Sequence, residues 1–140
     1  MKRTISILIS FLMTAHLAFA QSPSPFDGRF VNKEFNIFLH LNLTLKNIIV
    51  PNHDLLGELP GYLGKNNNNF YWLITDGEQK NNRQATLSLI NDYGSEDLTA
   101  SFEMKNDSVF ILKQDAAGTL KIPNKGKWQK LPKTIEFIKK

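Results

Sequence analysis

The sequence predicts an all-β fold, either a single antiparallel barrel or a compact sandwich of eight or nine short strands. Three observations lead to this class. Apolar and polar residues alternate with a period of two over most of the chain. Turn-forming residues separate these short segments, and no segment of ordinary length has the hydrophobic period of a helix. The length of 140 residues suits one domain.

The clearest strand covers residues 35–43. Its alternate positions place five apolar residues on one face: Phe35, Ile37, Leu39, Leu41 and Leu43. Similar patterns predict further strands over residues 26–31, 45–50, 70–75, 85–89, 98–104, 109–113, 120–122 and 134–138. Asp76-Gly77 is expected to form the hairpin turn that ends the strand over 70–75.

The face that should point inward carries large side chains. Besides residues of the strand over 35–43, its members are Leu87, Leu89, Leu98, Phe102, Phe110 or Ile111, Leu120, Ile135 and Phe137. Small barrels pack such side chains solidly, whereas carrier barrels leave inward positions unfilled. We therefore expect a filled core. The absence of cysteine excludes disulfides, zinc–thiolate sites and cysteine nucleophiles.

The first twenty residues resemble a cleaved signal peptide. Met1-Lys2-Arg3 is basic, residues 5–19 are mostly apolar, and Ala18-Phe19-Ala20 has the A-x-A form of a cleavage site. We expect cleavage after Ala20, a flexible N-terminus over residues 21–25 and a domain over 26–140. The predicted location is the periplasm or the cell exterior, with no membrane span left after cleavage.

Two resemblances support this interpretation. Gly28-Arg29-Phe30 is similar to the Gly-x-Trp that opens the first strand of lipocalins, with Phe30 in place of the tryptophan. This similarity implies a lipocalin- or calycin-like barrel. The chain as a whole, above all residues 90–98 and 126–132, resembles small exported β-rich proteins of Gram-negative bacteria. Those proteins have no assigned activity, so this second resemblance implies none.

Loops supply the candidate binding residues. Four asparagines at positions 66–69 predict a loop tip, because asparagine tolerates left-handed backbone angles. We select Asn67 and Asn68 from this loop, together with Tyr62 and Tyr93 from other predicted loops and Trp128 from the C-terminal segment. Rigid exposed aromatic side chains supply much of the energy of binding.

The last twenty residues form a basic segment, with seven lysines against one glutamate. Lys125, Lys127, Lys130 and Lys133 are the candidate basic surface, which could hold an anionic envelope glycan or lipid. The alternative is that these lysines protect the edge of the terminal strand from pairing with other chains. Nucleic acid is disfavoured by the predicted export and by the absence of a recognisable nucleic-acid-binding motif.

Candidate catalytic groups are few. An enzyme would use His53, Asp54 and Asp92, but no nucleophile–base spacing supports it. Carboxylates over residues 91–97 could bind calcium, but their spacing does not match an EF-hand, and a solvated hairpin loop is the preferred explanation. We predict no cofactor and no metal site.

The sequence thus predicts a monomeric, exported, non-catalytic binding or interaction module. Its partner would be an unknown protein, an envelope glycan or a small apolar ligand. One alternative is a small carrier that holds an apolar ligand inside the barrel. The second alternative is a small hydrolase-type enzyme.

Overall fold

Eight antiparallel strands close into a barrel in the computed structural model, which describes residues 23–140. This range contains twelve strands in chain order: β1 (Gly28–Asn32), β2 (Ile37–Leu41), β3 (Ile48–Ile49), β4 (Glu58–Leu59), β5 (Gly61–Lys65), β6 (Tyr71–Asn81), β7 (Gln84–Asn91), β8 (Asp97–Met104), β9 (Val109–Gln114), β10 (Lys121–Asn124), β11 (Lys127–Lys130) and β12 (Thr134–Lys139). The all-β, single-barrel prediction is therefore confirmed. The predicted signal peptide and residues 21–22 lie outside the described residues.

The barrel is an up-and-down meander with two inserted hairpins. Its strands follow the order β1, β2, β5, β6, β7, β8, β9 and β12, and β12 pairs with β1 to close the circle. β3 and β4 form a hairpin between β2 and β5, and β10 and β11 form another between β9 and β12. Of the strand predicted over residues 45–50, only Ile48–Ile49 form a strand, and it lies in the inserted β3–β4 hairpin and not in the barrel. Within residues 23–140, no helix is long and apolar enough to cross a membrane.

Large side chains fill the barrel. The rings of Phe30 in β1 and Phe102 in β8 lie 5.0 Å apart between centroids, although their strands are not neighbours. Phe30 and Phe110 are 4.7 Å apart. Every residue predicted to point inward belongs to this core or packs against it. Of the two alternatives Phe110 and Ile111, Phe110 is the residue in the core.

Each end of the barrel is covered. At the terminal end, defined by Phe26 and the C-terminus of β12, Phe26 is fully buried and Lys139 donates a hydrogen bond to the Pro25 carbonyl (2.7 Å). At the opposite end, which we call the hairpin end, the segment carrying β10 and β11 contributes Leu120, Ile122 and Leu131 to the core.

A second apolar cluster lies outside the barrel. It joins buried residues of β2, β5 and β6, and Val50, to partly buried residues of the β3–β4 hairpin: Phe38, Tyr62, Tyr71, Leu73, Ile48 and Leu59. The hairpin therefore covers part of the outer surface, and the chain between β3 and β4 reaches the hairpin end. A 3₁₀ turn over Asp54–Leu56 lies in that connection.

Two local predictions are wrong. Asp76-Gly77 is not a turn, because β6 continues to Asn81 with a bulge between Ile74 and Asp76. Gly77 instead allows close packing, since a Cβ there would lie 2.5 Å from the Leu43 side chain. The terminal strand β12 pairs on both sides, with β1 and β9, so it has no free edge for lysines to protect.

Candidate functional site

Three separate parts of the chain form an aromatic patch at the hairpin end, which consists of Phe70, Tyr93 and Trp128. Phe70 precedes β6, Tyr93 lies in the turn after β7, and Trp128 lies in β11. The Phe70 ring centroid is 4.9 Å from that of Trp128 and 5.9 Å from that of Tyr93. Phe70 is buried, whereas Tyr93 is 75% and Trp128 54% exposed. The patch therefore has a buried floor and two rings that face solvent.

Hydrogen bonds to neighbouring elements hold the patch in place. Asn68 Oδ1 accepts a hydrogen bond from the Phe70 backbone N–H (2.8 Å). The β10–β11 hairpin that carries Trp128 is attached to the barrel at two points. Trp72 Nε1 donates to the Lys121 carbonyl (2.8 Å), and Lys65 Nζ donates to the Pro123 carbonyl (2.8 Å). These bonds fix the backbone on either side of the exposed rings.

Asn91 shapes the turn that presents Tyr93. Its side-chain oxygen accepts hydrogen bonds from the backbone N–H groups of Ser95 (2.9 Å) and Glu96 (3.2 Å), and its Nδ2 donates to Ser95 Oγ (3.0 Å). Gly94 has φ +69°, the left-handed region that glycine adopts readily. The buried side-chain amide of Asn91 thus organises the turn. No group of three potential metal ligands occurs within residues 23–140.

Two shallow grooves border the patch. One, of about 390 Å³, includes Asn68, Asn69 and Lys127 in its walls. The other, of about 370 Å³, is bordered by Glu96 and Lys121, whose charged groups lie 2.9 Å apart. Polar groups that can donate and accept hydrogen bonds therefore surround the aromatic rings.

A larger, mainly apolar groove of about 880 Å³ lies on the outer surface beside the patch. Leu73 and Ile90 line it from β6 and β7, and Leu55 and Leu56, both exposed, line it from the 3₁₀ turn. Tyr93 borders this groove as well as the two smaller ones. The hairpin end thus presents a continuous surface centred on Tyr93.

His53 and Asp92 link the two sides of the large groove. His53 Nε2 is hydrogen-bonded to Asp92 Oδ1, and His53 Nδ1 lies 2.8 Å from the Pro51 carbonyl oxygen. The carbonyl and the ionised carboxylate can only accept hydrogen bonds, so this geometry favours an imidazolium that donates from both nitrogens. The bond to Pro51, followed by the bond to and charge of Asp92, raises the pKa of His53 above its ordinary value of 6.5 despite partial burial.

This arrangement suits a structural link between the two sides of the groove better than it suits a general base. A general base needs a ring nitrogen with a free lone pair directed at the proton that it removes. Both nitrogens of His53 already face acceptors. Asp54 lines the same groove but is exposed and is not part of this hydrogen-bonded pair.

The structure brings some of the predicted binding residues together. Asn68, Tyr93 and Trp128 all line the groove of about 390 Å³. Asn67 is exposed beside them, and its φ of +61° agrees with its predicted place at a loop tip.

The prediction that Tyr62 is an accessible loop residue is wrong. Tyr62 is buried in β5, where its ring packs against those of Phe38 (5.7 Å) and Tyr71 (5.3 Å), and burial raises its pKa. Gly61 allows β5 to approach β2, since a Cβ on Gly61 would lie 2.0 Å from the His40 carbonyl oxygen.

The four predicted basic residues have different surroundings. Lys125 and Lys127 flank the tip of the β10–β11 hairpin, and Lys130 lies further along β11. All three are exposed and form no ion pair within the described residues. Lys133 differs, because its ammonium donates hydrogen bonds to Gly118 and to neighbouring oxygen atoms of the same loop. Lys133 therefore has a structural role.

Phe70 is a part of the site that sequence reasoning missed, because its place in the sequence predicts only a strand residue. The signal was the junction itself, because an asparagine-rich loop followed directly by an aromatic strand places both residue types at one barrel end.

Comparison of the chain with protein-family models, with curated proteins and with solved structures found no match.

Proposed function

We propose that the protein is an exported, monomeric, non-catalytic binding module that holds its partner at the hairpin end of the barrel. The aromatic patch is the observation that carries this proposal. Tyr93 and Trp128 expose large apolar surfaces, yet their contacts with Phe70 hold them in place. Exposed, rigid aromatic residues bind partners at a small cost in side-chain entropy.

The two rival functions have weaker support. A carrier needs space inside the barrel, whereas Phe30, Phe102 and Phe110 meet across it. An enzyme based on His53 needs a free ring nitrogen, whereas both nitrogens are engaged. Both observations favour binding at the surface over transport or catalysis.

Site-specific photo-crosslinking in an exporting bacterial host tests the proposal. A benzophenone amino acid replaces Tyr93 in one variant and Leu45 in the control, because Leu45 is also exposed (65%) but lies outside the patch. We expect discrete adducts from position 93 and none from position 45. Equal adduct patterns at the two positions, or none at position 93, would refute binding through the patch.

Native mass spectrometry of the exported protein tests the carrier alternative. A binding module with a filled barrel should appear as a bare monomer when its partner is absent. A non-polar small molecule that stays bound through purification and is released on unfolding would instead support the carrier. A dimer would contradict the monomeric state.

A further inference from the structure

The aromatic patch has the features of a site for a sugar ring. A pyranose presents a face of C–H groups, which stacks on an aromatic ring, and a rim of hydroxyls, which needs hydrogen-bond donors and acceptors. Tyr93 and Trp128 supply the rings, with centroids 6.5 Å apart. Their fixed arrangement over Phe70 means that a sugar would order few protein groups when it binds.

The groove of about 390 Å³ supplies the polar rim. Asn68 uses its side-chain oxygen for the Phe70 N–H, which leaves its amide nitrogen able to donate. The side chains of Asn69 and Lys127 form no hydrogen bond within residues 23–140. The volume lies at the lower end of the range of about 300–1,000 Å³ that is usual for small-molecule sites.

The charge around the groove favours an acidic sugar. Lys127 and Asp92 both line the groove. The Asp92 carboxylate is hydrogen-bonded to His53, whereas Lys127, and Lys125 at the tip of the same hairpin, have no carboxylate partner in the described chain. Lys121, in contrast, is paired with Glu96. We propose that the aromatic patch binds an acidic saccharide, with the sugar ring against Trp128 and Tyr93 and its anionic substituent near Lys127. This inference rests on the binding function proposed above.

A sugar fits this surface better than a membrane does. Binding to a bilayer requires apolar side chains that protrude together beyond the lysines. Here grooves lie on either side of the two rings, and asparagine side chains border both of them. A recess with directional hydrogen-bonding groups suits a small polar ring.

A glycan array followed by titration tests the inference. The exported protein is applied to uronic-acid, sialylated and phosphorylated oligosaccharides beside neutral ones, and acidic hits are titrated by tryptophan fluorescence. The chain has two tryptophans, and Trp72 is only 1% exposed, so a shift in emission reports on Trp128. Lys127→Gln should weaken binding of acidic sugars about tenfold, which corresponds to about 1.4 kcal/mol. Lys105→Gln, an exposed lysine at the terminal end, should change nothing.

The outcomes separate this inference from the proposed function. Selective binding of acidic sugars on the glycan array, which needs no tryptophan signal, supports the saccharide site if it is lost in Trp128→Ala. Binding of neutral sugars alone, or equal affinity in the Lys127→Gln variant, overturns the role of charge and therefore the inference. If no saccharide binds, or if only anionic vesicles or single-stranded DNA shift the emission of Trp128, the inference is wrong. Adducts from a crosslinker at position 93 would then still support the binding function.

Discussion

Replacing Phe30 by alanine tests whether the barrel is filled. Phe30 is fully buried, and its ring lies 5.0 Å from Phe102 and 4.7 Å from Phe110 between centroids. Removing such a side chain loses its burial and leaves a cavity, which together cost about 3–5 kcal/mol. Single domains are stable by about 5–15 kcal/mol, so the variant should fold with much reduced stability. Its thermal midpoint should fall by about 10–20 °C.

Urea unfolding followed by far-ultraviolet circular dichroism measures this loss. Leu45→Ala is the matched control, because Leu45 is exposed and should change stability by less than about 0.5 kcal/mol. Benzene should raise the midpoint of the Phe30→Ala variant, since apolar cavities of this kind bind it, and should leave the native protein unchanged. A loss below about 1 kcal/mol for Phe30→Ala, or stabilisation of the native protein by benzene, would refute close packing and favour the carrier.

Three further perturbations test the site and its scaffold. In an NMR titration the pKa of His53 should lie above 6.5. Asp92→Asn should lower the pKa of His53, although the bond of His53 to the Pro51 carbonyl oxygen remains. The stabilisation from protonated His53 is complete below pH 6.5 and is lost as the pH rises through the raised pKa. An equal pKa of His53 in the native protein and in the Asp92→Asn variant would contradict the hydrogen bond between His53 and Asp92. Gly61→Ala should cost about 3 kcal/mol or prevent folding, because the new Cβ meets the His40 carbonyl oxygen, and a stable variant in thermal denaturation would argue against this strand contact. Gln114→Leu should cost about 1–3 kcal/mol in urea unfolding, since it removes two hydrogen bonds between β9 and the following segment; no loss would show that these bonds are replaced by water.

The alternation of apolar and polar residues in the sequence predicts much of the fold. In the strand over residues 35–43, a period of two assigns Ile37, Leu39 and Leu41 to one face, and the structure buries all three in the barrel. Side-chain volume also allowed a filled interior to be expected, because large residues recur at inward positions. Both properties depend on neighbours in sequence and on side-chain size, so they are visible without tertiary contacts.

Close packing between strands decided what local patterns could not. Gly77 and Gly61 are turn residues by composition, but each sits inside a strand where another chain segment approaches. Because glycine has no side chain, it suits both a turn and a close contact between chain segments. Only the segment that packs against the glycine distinguishes these two roles, and this is why the sequence did not predict β5 or the continuation of β6.

The candidate site is a product of barrel closure. Phe70, Tyr93 and Trp128 come from three distant parts of the chain, and His53 meets Asp92 across 39 positions. The sequence determined the residue types and the alternation that puts bulky side chains inside the barrel. Tertiary structure alone decided which loops share an end, because strand register and the path of each inserted hairpin depend on long-range pairing.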